Sequence, residues 1–264
     1  MELLGYAGAV LMGLSLGLMG GGGSILTVPV LVYLFSVDAV LATAYSLFIV
    51  GFTSLIGTFS HIKMGNIHRT TALVFGIPSV ISVFITRAII VPAIPDQLFS
   101  IGALQITKPI ALLLLFAIIM LFASYSMIRR KKQKPDFEKI QYNYPLIIMQ
   151  GLIVGAVTGL VGAGGGFLIV PALVLMAHLP MKKAVGTSLF IIAINSLLGF
   201  TVSLFHKETI NWNFLLTFSA VAVVGILIGS LLSKNIANEK LKPAFGWFVL
   251  VMGIYIILKE TLLK

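Results

Sequence analysis

The chain has no cysteine, only eight acidic residues and only two tryptophans among 264 positions. Without cysteine, disulfides and thiolate metal sites are both excluded. The acids are Glu2, Asp38, Asp96, Asp136, Glu138, Glu208, Glu239 and Glu260, and each falls in a loop or at the end of an apolar run. No carboxylate is therefore expected at membrane depth, where proton pumps and cation carriers usually keep one despite its insertion cost. Charge of either sign is scarce: 10% of residues are charged against 59% apolar, and the mean hydropathy is +1.10. A soluble domain of this length could not bury so many apolar runs, so the composition reads as a polytopic protein of the lipid bilayer. The net charge of +10 does not indicate nucleic acid, because the cations sit in short clusters between apolar runs, where they orient helices. No basic region precedes the first apolar run, which is expected to be a mature segment and not a signal peptide.

What the chain does have is glycine, and it has it twice in one pattern. Gly17-Leu-Met-Gly-Gly-Gly-Gly-Ser-Ile-Leu-Thr-Val-Pro29 returns 142 residues later as Gly159-Leu-Val-Gly-Ala-Gly-Gly-Gly-Phe-Leu-Ile-Val-Pro171. The ungapped match runs on to Gly57 opposite Gly199, with 18 of 41 positions identical, so the repeat extends well beyond the glycines. Arg87 falls opposite Lys234 at a helix end, and Lys108-Pro109 opposite Lys242-Pro243 at the start of each last helix. The repeat is the whole half-chain.

In each half a first apolar run (Leu3–Met19; Pro145–Leu160) leads into the glycines, and a second follows them (Ile25–Phe35; Phe167–His178). The run Ile25–Phe35 has 11 residues. At about 1.5 Å per residue it is too short to cross about 30 Å of hydrocarbon. The two runs are read as one broken, re-entrant-type element with its turn inside the membrane, where unpaired backbone is tolerated only against protein or a water-filled cavity. Three spans follow in each half: Asp38–His61, Thr70–Val91 and Pro109–Ile128, then Lys182–His206, Phe214–Ser233 and Pro243–Leu258. Asp38 suits an N-cap, Arg87 is expected to snorkel from a helix end, and 91–108 is expected to be a loop. The expectation is an all-α polytopic membrane protein. Residues 1–128 form the first membrane repeat, 129–143 a basic linker and 144–264 the second membrane repeat.

Orientation follows from the cations. If each half enters and returns through its glycine element and then crosses three times, the halves are inverted, and 13 of the 18 lysines and arginines are cytoplasmic. If the element were a full crossing, the halves would be parallel and 11 would be. Positive-inside bias favours the inverted repeat in the cell membrane, with linker residues 129–134 cytoplasmic.

A helix starting inside the membrane at Ser24 or Gly166 presents unpaired N–H groups and the positive end of its dipole, and glycine lets a ligand approach that backbone. Gly21, Gly22, Gly23 and Ser24, with Gly164, Gly165 and Gly166, are therefore candidate anion ligands, against the alternative that the glycines serve close packing. A hydroxyl stripe at helical spacing accompanies them: Thr43, Ser46, Thr53 and Ser54 in the first half; Ser188, Asn195 and Ser196 in the second. Ser46, Ser54, Ser188, Asn195 and Ser196 are candidate substrate ligands, and the alternative is a small-residue helix interface. Asn195 stands out because a buried amide needs partners. His61 and His206 end the two long helices and could carry a titrating charge at an entrance, or be ordinary interfacial residues. Gly13-Leu-Ser15-Leu-Gly17 fits the nucleophile pattern G-x-S-x-G but lies in an apolar run with no strand before it. No catalytic residue, metal site, nucleotide loop or cofactor is expected.

Across nearly its whole length the sequence resembles the sulfite exporter TauE/SafE family of membrane permeases. The resemblance rests on Gly20-Gly-Gly-Gly-Ser with Val28-Pro29, on Gly162-Ala-Gly-Gly-Gly with Val170-Pro171, and on Ala184-Val-Gly-Thr-Ser-Leu189 with Asn195-Ser196. The first half departs from the family pattern at Ala42-Thr-Ala-Tyr-Ser-Leu47. The resemblance implies a small anionic substrate of the sulfite, thiosulfate or organosulfonate class. The expected function is secondary transport and not enzymatic; a passive anion channel, a carrier of another organic anion and, more remotely, an intramembrane enzyme are the alternatives. Direction, coupling ion and a homodimer are left open by the sequence.

Overall fold

The computed structural model describes residues 2–21, 23–101, 104–128, 144–162, 165–175, 179–204, 210–233 and 238–262. Among these, ten helices follow one another. The first five are α1 (Glu2–Met19), α2 (Ser24–Leu34), α3 (Ala39–Lys63), α4 (Arg69–Ala93) and α5 (Lys108–Ile128). The second five are α6 (Tyr144–Val161), α7 (Gly166–Leu175), α8 (Met181–Leu204), α9 (Trp212–Leu232) and α10 (Asn238–Leu262). The chain is an all-α polytopic membrane protein, and each half has the expected order of one broken pair and three long helices. The linker 129–143 lies outside the described residues.

Caps set where the helices begin. The Asp38 carboxylate accepts the Val40 amide at 2.8 Å to start α3, as expected, and Asn211 accepts the Phe214 amide at 3.1 Å to start α9. His68 does the same for α4 through the Thr71 amide.

Two expectations for the region after α4 are corrected. Residues 91–108 are not all loop: the helix runs on to Ala93, and Gln97–Ile101 (β1) pairs antiparallel with Leu104–Thr107 (β2). Two runs of four and five residues are too short for a periodicity to declare itself. Arg87 does not snorkel to an interface. A π-helical turn over Thr86–Ile90 adds a residue to the coil and turns the side chain inward, leaving it 4% exposed.

Packing repeats across the halves. α1 and α2 fold back on each other antiparallel, with Gly5 beside Phe35, Gly8 beside Val30 and Gly23 beside Met12 and Leu16. α1 lies parallel to α9, and α6 lies parallel to α4; the small residues Gly13, Gly17, Gly155 and Gly159 let the backbones meet. At the centre α3 and α8 cross antiparallel: Gly51 meets Leu197, Gly57 meets Leu189, and Gly199 meets Leu47. These two are the most enclosed of the long helices, whereas α4 turns Leu73, Ile77, Ile81 and Phe84 outward at three- and four-residue spacing, as a lipid-facing stripe should. α5 and α10 pair antiparallel, Gly253 lying against Ala117 and Met120.

Candidate functional site

Each broken helix pair is built around a glycine with positive φ. Gly20 (φ 71°) and Gly162 (φ 73°) end α1 and α6, their amides bonding back to Leu16 O at 2.8 Å and Thr158 O at 2.9 Å. That left-handed cap is a conformation glycine adopts without the Cβ penalty, and it reverses the chain in a single turn. α2 and α7 then begin at Ser24 and Gly166.

The two turns meet. A methyl group on Gly21 would collide with the Gly166 carbonyl, and one on Gly166 would strike the Gly21 Cα. Gly166 also lies against Ile192, halfway along α8, so the contact sits at mid-height of the central helix pair. Around it the turns are set by the facing helix, Gly20 against Val185 and Gly162 against Thr43, a pair of contacts related by the repeat. The N-termini of two short helices therefore converge, as the sequence suggested. Gly21 and Gly166 also do the close packing that was the alternative reading.

Not every expected ligand is available. The Ser24 hydroxyl donates to Gly21 O at 2.8 Å, and the Ser188 hydroxyl donates to Gly20 O at 2.9 Å and to Val185 O at 2.8 Å. Thr43 and Thr53 bond back to their own helix. By contrast Ser46, Ser54 and Ser196 are wholly buried, and their hydroxyls have no hydrogen-bond partner among the described residues. The Asn195 amide nitrogen donates to the Ser79 hydroxyl at 2.6 Å, which leaves its Oδ1 buried and unpartnered. Gly23 and Gly165 sit in the turns, Gly165 with φ 64°; Gly22 and Gly164 lie outside the described residues, as does His206.

Two polar groups escaped the sequence reading. Thr27, on α2 one turn beyond Ser24, is buried with its hydroxyl unpartnered. Ser79 follows Pro78 in the middle of α4 and fixes Asn195. Their only sequence signal was a lone hydroxyl in an apolar helix. His61, weighed as a titrating entrance charge or an ordinary interfacial residue, is 3% exposed, and both ring nitrogens have no partner among the described residues.

Chemically, the assembly offers buried hydroxyl donors along α3 and α8 and two converging helix N-termini, with no carboxylate on the facing stretches of α3 and α8. Part of the N-terminal amide supply is spent locally: Leu26 N bonds to Gly23 O, and Leu168 N and Ile169 N bond to Gly165 O. What remains suits an oxygen-rich anion better than a cation.

The family model described as "Sulfite exporter TauE/SafE" matches residues 6–256. The chain belongs to the TauE/SafE family. Relatives agree: a "Probable membrane transporter protein" of Xylella fastidiosa (strain Temecula1) is 30% identical over 256 residues, covering 94% of this chain and 91% of that one. "Probable membrane transporter protein YunE" of Bacillus subtilis is 29% identical over 257 residues, covering 91% and 89%. "Probable membrane transporter protein MJ0441" of Methanocaldococcus jannaschii is 24% identical over 267 residues, covering 94% of each. No solved structure gives a significant match. As a member of TauE/SafE the chain is a multi-pass membrane permease, and both of its glycine turns lie within the matched region.

Proposed function

We propose that this permease is a secondary carrier for a small sulfur oxyanion or organosulfonate, held where the two glycine turns converge. One observation carries the reading: Gly21 touches Gly166 at mid-height, within a helix pair whose Ser46, Ser54 and Ser196 hydroxyls are buried without partners. A buried hydroxyl with no acceptor costs about 1–3 kcal/mol, and an anion that accepts from several at once returns that cost. The chemistry fits a family of sulfite exporters, and sulfite, thiosulfate and sulfoacetate share the oxygen-rich anionic head this site would take.

In this reading Gly21, Gly22, Gly23, Gly164, Gly165 and Gly166 supply backbone N–H groups, and Ser46, Ser54, Asn195 and Ser196 supply side-chain contacts, while Ser188 holds the first turn in place. The antiparallel pairing of α3 with α8 and of α5 with α10 supports an inverted repeat about an axis in the membrane plane. Such a repeat lets one set of helices rock against the other and expose the same point to each side in turn. The cation count supports a topology with the 129–134 linker and the α3–α4 connection on the cytoplasmic side of the cell membrane.

The test is uptake of radiolabelled sulfite, thiosulfate and sulfoacetate into vesicles holding the purified chain. A carrier shows saturation and counterflow, whereas a passive channel shows neither. No uptake of any of the three, by correctly inserted protein, refutes the proposal.

A further inference from the structure

Each glycine turn has a corner beside it, and the two corners are built alike. Gly57 of α3 faces Ile226 of α9, and its repeat-mate Gly199 of α8 faces Val83 of α4. α3 and α9 run parallel, since Asn211 N–H bonds to the Tyr45 hydroxyl near their starts and Gly57 meets Ile226 farther on. α4 and α8 also run parallel, through His68 with Thr187, Asn195 with Ser79 and Gly199 with Val83. One helical turn beyond these contacts come His61 and Ser230 in the first corner, and Ser203 and Arg87 in the second. α1 closes the first with Gly17 against the Ser230 backbone, three residues before Gly20. α6 closes the second with Gly159 against Thr86, three residues before Gly162.

Each corner thus carries one buried basic side chain, and the two are chemically unequal. Arg87, 4% exposed, is charged at every physiological pH. His61, 3% exposed, has neither Nδ1 nor Nε2 hydrogen-bonded among the described residues, and the Ser230 hydroxyl of the same corner has no partner among them either. A structural histidine would be expected to satisfy at least one nitrogen, because an idle buried polar atom is costly. An ionisable residue inside a membrane protein is by default a functional group.

The surroundings of His61 fix how it would work. Among the described residues the titratable and charged groups at its end of the molecule include Lys63 on its own helix, His68 and Arg69 at the start of α4, Lys182 and Lys183 at the start of α8, and Glu239, Lys240 and Lys242 at the start of α10. α1 and α9 bring none among their described residues at that level. Apart from Glu239 these groups are basic, so an anion at the turn would be the charge that offsets an imidazolium at His61. Proton and anion then favour each other's binding, and by linkage the effect is reciprocal.

We infer that His61 takes up one proton with each anion loaded at the first glycine turn, while Arg87 gives the second turn a fixed counter-charge, so that transport is proton-coupled. This rests on the anion-carrier reading above. The proton comes from water to a bare ring nitrogen of His61 and leaves from that nitrogen when the anion dissociates; no bond in the substrate changes.

The experiment places the full chain in vesicles with a trapped pH-sensitive dye and applies a thiosulfate gradient, recording labelled thiosulfate and internal pH together. Wild type is expected to move protons with thiosulfate. His61→Gln is expected to lose the proton signal while keeping slower thiosulfate exchange. His61→Lys, which keeps the charge in case the glutamine variant folds poorly, is also expected to exchange thiosulfate without protons. Thiosulfate uptake by wild type with no pH change, or a proton signal that survives in either variant, overturns the inference and leaves the carrier proposal standing. Absence of uptake of thiosulfate, sulfite and sulfoacetate by wild type overturns both.

Discussion

The Ser188 hydroxyl donates to the Gly20 carbonyl at 2.9 Å, binding α8 to the first glycine turn, while its repeat-mate Ser46 is equally buried and has no partner among the described residues. The halves share a sequence pattern but not a hydrogen-bond state. In a carrier built from two like halves that is where an asymmetry between the two faces should appear.

The serine pair separates structure from function. Ser188→Ala is expected to lower stability by about 1 kcal/mol, the net worth of one neutral hydrogen bond. Ser46→Ala breaks no bond and should leave the thermal midpoint in detergent unchanged while raising the KM for anion uptake. Thermal unfolding and uptake kinetics on the two variants check this; equal loss of stability in both would remove Ser46 from the site.

Gly21→Ala tests the contact between the turns. The added methyl meets the Gly166 carbonyl, and overpacking of this kind costs about 1–3 kcal/mol. The variant is expected to insert, melt earlier and lose uptake. Normal uptake would show that the turns can separate without consequence.

Asn195→Asp keeps the size of the side chain and can still pair with the Ser79 hydroxyl, now as acceptor. It places a negative charge among the proposed ligands, where an anion would be repelled. Uptake is expected to fall far below that of Asn195→Gln, measured in the same vesicles. Equal rates in the two would argue that Asn195 only joins α8 to α4.

The pH dependence of stability has its clearest source outside the membrane spans, at His68. Burial, and next the nearby Lys183 charge, hold its imidazole below the ordinary value of 6.5. Its Nδ1 accepts the Thr71 amide at 3.3 Å and lies 2.9 Å from the Thr71 hydroxyl, roles that suit the neutral ring. Because the folded value is the lower one, the cap contributes fully above pH 6.5 and is lost as pH falls through the folded value. The thermal midpoint is expected to drop on acidification below neutrality, and less so in His68→Asn, which caps without titrating. A midpoint flat with pH in the wild type would contradict this.

Much of this arrangement was legible in the sequence because it depends on local signals. A glycine run followed by a run too short to span announces a broken helix, and its repetition 142 residues on announces the second. Asp38 declared its cap by position alone. What stayed hidden depends on contacts between distant segments. That Gly21 touches Gly166, and that Ser188 but not Ser46 finds a carbonyl, follows from how the halves cross, which no spacing encodes. Thr43 and Thr53 looked like their neighbours in the hydroxyl stripe, and Ser24 like a ligand at the turn, yet each spends its hydroxyl on nearby backbone. Arg87 was misplaced because a π turn shifts the register of every side chain after it, and regular helical periodicity does not foresee one.

The absence of native cysteine makes one measurement especially direct, since Ser46→Cys would carry the molecule's sole thiol. In vesicles that still take up sulfoacetate, the rate at which a small maleimide alkylates this thiol is followed with and without sulfoacetate. If the anion is held between the glycine turns, sulfoacetate slows alkylation in proportion to its occupancy. Active transport with an alkylation rate indifferent to sulfoacetate would mean the anion binds elsewhere.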